Sequence, residues 1–207
     1  TGPSTYVAAD YGMPVHYMIN GKWEDYDNRL TLDENEEKSF RNRSSDIEIK
    51  ISHKAKENNM VIVKLGENKV TWGYRGVNSA ELEIAARDEI PGPADLPNLT
   101  QTAWYRDAFT GVDIQYIISP IGVKENFILK TQKTALSYLC EYEYSGLAVT
   151  QDDEKTISFR GGDGKAVYML CAPVMQDAKG GFDSHVTVTI TELKNNKVTV
   201  RLDICGD

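Results

Sequence analysis

The strictest constraint on this chain is a period of two. Val186, Val188 and Ile190 recur at every second position of HVTVTIT. After Asn195-Asn196 the pattern resumes at Val198, Val200, Leu202 and Ile204, with Thr199, Arg201 and Asp203 between them. Side chains of a strand point alternately to its two faces, so this run buries one face and wets the other. That pattern belongs to antiparallel sheet. Ile47, Ile49 and Ile51 repeat it, as do Val70, Trp72 and Tyr74, and the series Leu136, Tyr138, Cys140, Tyr142, Tyr144. No comparable stretch carries the 3.6 period of a helix. About 14 short strands between turn signals predict an all-β fold, an antiparallel β-sandwich with negligible helix.

A central hairpin is predicted within Trp104 to Lys130. Val112, Ile114, Tyr116 and Ile118 share one face, and Val123, Glu125, Phe127 and Leu129 share a face of the return strand. Ser119-Pro120-Ile121-Gly122 turns it; the proline presets φ, and Gly122 can take the positive φ that closes a three-residue loop. Asn20-Gly21 marks a second hairpin, because both corners of a type I′ turn need positive φ.

Three prolines, Pro91, Pro93 and Pro97, fall between residues 87 and 102. Proline cannot donate to a sheet ladder, so this stretch reads as a connection. It divides the chain into an N-terminal β lobe, 1–90, a connection, 91–102, and a C-terminal β lobe, 103–207. A single large sandwich is the alternative. A chain of 207 residues can bury roughly 70% of its unfolded surface and hold a core without staples.

The net charge of −8 disfavours nucleic acid, whose binding requires Lys and Arg to neutralise phosphates. No apolar run is long enough to insert in a membrane. Cys140, Cys171 and Cys205 are odd in number and lack CxxC spacing, so they read as buried free thiols or as one disulfide with one thiol over. GxSxG, HExxH, a Walker loop and a dinucleotide fingerprint are all missing. The acidic run Asp33 to Glu37 lacks the spacing of a calcium loop, and Gly161-Gly162-Asp163-Gly164 is followed by strand, not by the helix a phosphate loop needs. No catalytic residue, cofactor site or metal site is assigned.

Two groups of residues stand out. Asp113, Lys124 and Glu125 interrupt apolar strands, and are predicted to pair with neighbouring charges and fix hairpin register. Asp113 and Glu125 should lie toward opposite ends of the pairing, which argues against a glycan-active enzyme using them as an acid–base pair. Trp23, Trp72 and Trp104 are candidate glycan-stacking residues, since an indole offers a flat apolar face and a polar edge.

Several segments resemble a known family. Trp104-Tyr105, Phe109-Thr110-Gly111-Val112-Asp113-Ile114-Gln115-Tyr116 and Gly122-Val123-Lys124-Glu125 are similar to a segment of large wall-associated and secreted bacterial proteins that carry RHS or YD repeats, or DNRLRE-type domains. Pro14 to Asn28 is similar to that family's N-terminal segment, and Ala172 to Ala178 to a later one. The resemblance implies a non-enzymatic structural or interaction module of a secreted or cell-wall-associated bacterial protein. Its partners would be other domains of the same long polypeptide. A carbohydrate-binding module for cell-wall or dietary glycans is the alternative.

Overall fold

The computed structural model describes residues 12–34, 38–86, 98–131, 137–183 and 185–204. No helix occurs among them, and the all-β, sandwich-like architecture stands as predicted. In chain order the first strands are β1 (His16–Ile19), β2 (Lys22–Asp25), β3 (Asp27–Leu32), β4 (Ser39–Ser44), β5 (Glu48–Ser52), β6 (Val61–Leu65), β7 (Asn68–Tyr74) and β8 (Leu82–Ile84). The middle of the chain gives β9 (Gln101–Phe109), β10 (Val112–Ser119), β11 (Gly122–Leu129), β12 (Ser137–Ser145) and β13 (Ala148–Gln151). The last are β14 (Ile157–Arg160), β15 (Ala166–Leu170), β16 (Met175–Gln176), β17 (Phe182–Asp183), β18 (Val186–Lys194) and β19 (Lys197–Ile204).

One eight-stranded sheet, in the order β18-β19-β12-β7-β6-β5-β4-β3, forms the larger layer. Its inward positions line up across the strands: Ile51 pairs with Val61, Val61 with Trp72, Trp72 with Tyr142 and Tyr142 with Val198. A four-stranded sheet, β11-β10-β9-β8, and a three-stranded one, β13-β14-β15, supply the facing residues. Tyr105, Ile114, Tyr116 and Ile118 from the first and Ile157 and Phe159 from the second enter the same apolar core. The hairpin of β1 and β2 stands apart from it, on a small cluster of Tyr17, Tyr26 and Leu99.

The sheet does not respect the predicted division. Strands β3 to β7 come from the first half and β12, β18 and β19 from the second, and they join where β7 pairs with β12. The lobes 1–90 and 103–207 therefore share one sheet, as in the single-sandwich alternative. Alternation reveals which face of a strand is buried but not which strand lies beside it, so a proline-rich stretch looked like a boundary. Residues 91–97 of that connection lie outside the described residues. Beyond them, Asn28 ties the chain down, its side chain donating to the Leu99 carbonyl at 2.8 Å and its amide to that of Asn98 at 2.7 Å.

Both predicted turns form, one with a correction. Asn20 and Gly21 have φ of 51° and 75°, as a type I′ turn requires. In the central hairpin Ser119 pairs directly with Gly122, so the turn is two residues, Pro120-Ile121, where three were predicted. Gly122 still has positive φ, 127°. The sequence also conceals a third strand: β9 pairs with β10 and turns the hairpin into a meander.

Gly73 is set by contact. The Lys56–Glu57 backbone crosses the outer face of β7 so closely that a Cβ on residue 73 would lie 2.2 Å from the Glu57 carbonyl oxygen. Only glycine admits that approach, and the obstruction is main chain that cannot rotate away. Gly73→Ala should cost about 2 kcal/mol by overpacking and lower Tm by roughly 4–8 °C in thermal unfolding.

Candidate functional site

The three hairpin charges meet different fates. Asp113 is 4% exposed and sits at a break in the β9–β10 ladder. Between the pairs Val112–Phe109 and Ile114–Tyr105, β9 runs residues 106 to 108 against the single residue Asp113. This bulge forces Asp107 to φ 50°. The Asp113 carboxylate accepts the Asp107 N–H at 2.7 Å, Arg106 Nη1 at 3.0 Å and Lys130 Nζ at 2.6 Å. Burial opposes its ionisation, but the Lys130, Asp107 and Arg106 bonds outweigh burial and hold the carboxyl below its ordinary value.

Lys124 plays no part in this lock. It is exposed on the outer face opposite Ile117 and makes no ion pair among the described residues, which corrects the predicted role. Lys130 takes its place, because the residue just past the end of β11 reaches both Asp113 and Asp107 of the bulge.

Glu125 faces the other way. It pairs with Tyr116, on the core face with Phe127, whereas Asp113 pairs with Ile128 on the outer face. Its carboxylate accepts the Tyr74 hydroxyl and, at 3.4 Å, the Trp72 indole N–H, both from the eight-stranded sheet. The wholly buried Tyr116 hydroxyl lies against it without a well-directed bond. Burial pushes the Glu125 carboxyl up, and Tyr116, Tyr74 and Trp72 recover only part of that shift. Two carboxylates on opposite faces of one hairpin cannot act together on a single substrate bond.

The tryptophans do not share a surface, since Trp23, Trp72 and Trp104 belong to three different sheets. Trp72 points into the core, its ring stacked on Tyr142 at 5.9 Å. Trp104 lies half-buried on the outer face of the four-stranded sheet, where the Arg106 guanidinium covers its ring at 4.0 Å. Trp23 is 69% exposed. It lines an open depression with His16 and Asp25. His16 Nδ1 donates to Asp25 Oδ1 at 2.6 Å.

Sequence reasoning passed over His16 and Asp25, yet a signal was there. A two-residue turn at Asn20-Gly21 fixes the pairs Ile19–Lys22, Met18–Trp23, Tyr17–Glu24 and His16–Asp25 by counting outward. Every second pair shares a face, which puts Trp23 beside the His–Asp pair.

A second concavity, about 350 Å³, lies on the outer side of the eight-stranded sheet between Asn58, Asn59, Thr71, Glu143, Glu192 and Lys197. At its rim Arg75 bonds Glu141 and Lys197 bonds Glu143 at 3.3 Å. No three His, Cys, Asp or Glu side chains converge as metal ligands among the described residues. Cys140 is buried and free; Cys171 is also free but exposed, against the prediction of buried thiols, because strand β15 ends before it. Cys205 lies outside the described residues. Compared with family models, curated proteins and solved structures, the chain matches none.

The two carboxylates should shift stability with pH in opposite senses. Asp113, held below its unfolded value, contributes stability that is lost as pH falls through the lowered value. Asp113→Ala should cost about 2 kcal/mol at pH 7, less than a fully buried pair because Arg106 and Lys130 are half-exposed, and the cost should shrink in acid. Glu125, held above its unfolded value, stabilises the fold at low pH and loses that contribution as pH rises through the raised value. Glu125→Gln should therefore gain stability relative to wild type between pH 4 and pH 8, read as the difference in denaturant midpoint across the series.

Proposed function

We propose that the chain is a non-enzymatic structural or interaction module of a secreted or cell-wall-associated bacterial protein, working beside other domains of one long polypeptide. The observation that supports this is the disposition of the hairpin carboxylates. Asp113 is spent on the bulge and two cations, and Glu125 on the core tyrosines. Both polar groups that looked chemically unusual in the sequence serve the frame. The resemblance to RHS- and DNRLRE-containing proteins supplies the location, and the chain needs no cofactor in this role. Incubated with cell-wall and plant polysaccharides, the folded chain should release no reducing ends. Reducing ends released by wild type and lost in Glu125→Gln would overturn the reading.

A second reading, carbohydrate binding, is favoured by one observation: Trp23 presents its indole to solvent beside two polar side chains. It expects a saturable change in tryptophan fluorescence on titration with the same polysaccharides. A flat response from folded protein would remove it and leave the structural role.

A further inference from the structure

Of the three tryptophans, Trp72 has its ring engaged in the core and Trp104 lies under Arg106, which also bonds Glu83 and Asp113. A sugar at Trp104 would have to displace a guanidinium held by two carboxylates. Only Trp23 offers a flat apolar face without that cost, on a hairpin already fixed by its turn and by Tyr17 beneath it.

The groups beside it have definite hydrogen-bonding capacity. His16 Nδ1–H is used on Asp25 Oδ1, and among the described residues no other protein group bonds Asp25 Oδ2 or His16 Nε2. In the tautomer that donates from Nδ1, Nε2 carries a lone pair, so Nε2 and Oδ2 can both accept. Two acceptors, one on each strand, lie next to an exposed indole. A pyranose meets that array well: its C–H face lies on the ring while two adjacent hydroxyls donate to Oδ2 and Nε2. A carboxylate at the rim repels anions, so the array selects neutral pyranoses over uronic acids.

We infer that Trp23, His16 and Asp25 form a subsite for a neutral pyranose bearing a vicinal diol, with Trp23 as the stacking platform. The inference rests on the carbohydrate-binding reading above and gives it a location. A single platform with two hydrogen bonds binds weakly, with Kd on the order of 1 mM.

Nuclear magnetic resonance decides it. The intact chain should show a separate indole N–H signal for each tryptophan, with Trp23 identified by its loss in Trp23→Phe. Titration with cellohexaose, xylohexaose or chitohexaose should move the Trp23 signal saturably for at least one of them, and leave Trp72 and Trp104 in place. Trp23→Ala, checked for unchanged Tm, should weaken that sugar by about tenfold or more, and Asp25→Asn should weaken it while the fold persists. Hexagalacturonate should not move the signal. Saturable shifts confined to Trp72 or Trp104 would overturn the site but keep the carbohydrate reading. No saturable shift with any neutral hexaose would overturn both. A hexagalacturonate response equal to the neutral one would overturn the selectivity.

Discussion

The Asp113 carboxylate holds together a strand that would otherwise not close. A bulge of three residues against one leaves an unpaired amide and an aspartate at positive φ, each costly when the surroundings do not fix it. Asp113 takes that amide and pulls Arg106 and Lys130 over itself, so the bulge, the edge of β11 and the outer face of the sheet are fixed by one group. The consequence reaches the core. At the end of the bulge Ala108 turns inward, and past it Phe109 packs on Tyr138 at 4.9 Å and on Tyr74 at 6.1 Å, both from the eight-stranded sheet. Without the bulge the alternation of β9 would carry on unbroken and present a different set of side chains there.

Glu125 acts on the other side of the same hairpin. A carboxylate turned into an apolar core is unfavourable unless its oxygens are bonded. Here the donors come from Tyr74 and Trp72 in the opposite layer, so the bond crosses between sheets and specifies how they face one another. Phe127, one step from Glu125 along that face, closes edge-on to Tyr74 at 5.3 Å. Polar and aromatic contacts thus fix one alignment of the layers, a specificity that aliphatic packing by itself does not impose.

Much of this was legible in the chain. The strand faces of β10, β11, β18 and β19 and the Asn20-Gly21 turn follow from a period of two and from turn chemistry, both local. The partners of the charges were not legible in the same way. Asp113 was expected to pair with neighbouring charges, and Arg106 is one, but Lys130 is 17 residues from it in sequence and meets it only because the return strand runs its full length. Lys124, beside Glu125 in sequence, points to the opposite face of the strand and cannot reach it. The bulge itself was invisible, since WYRDAF alternates in no regular way.

The sequence by itself determined the class of fold, the buried face of most strands and the hairpin turns, because each depends on a residue and its near neighbours. Tertiary structure decided the rest: that β7 and β12 join both halves in one sheet, that Trp72 is core and Trp104 covered, and that Trp23 stands open beside His16 and Asp25. Those outcomes turn on which strands lie side by side and which layer covers which face. They are set by packing between segments far apart in the chain, which local pattern does not encode.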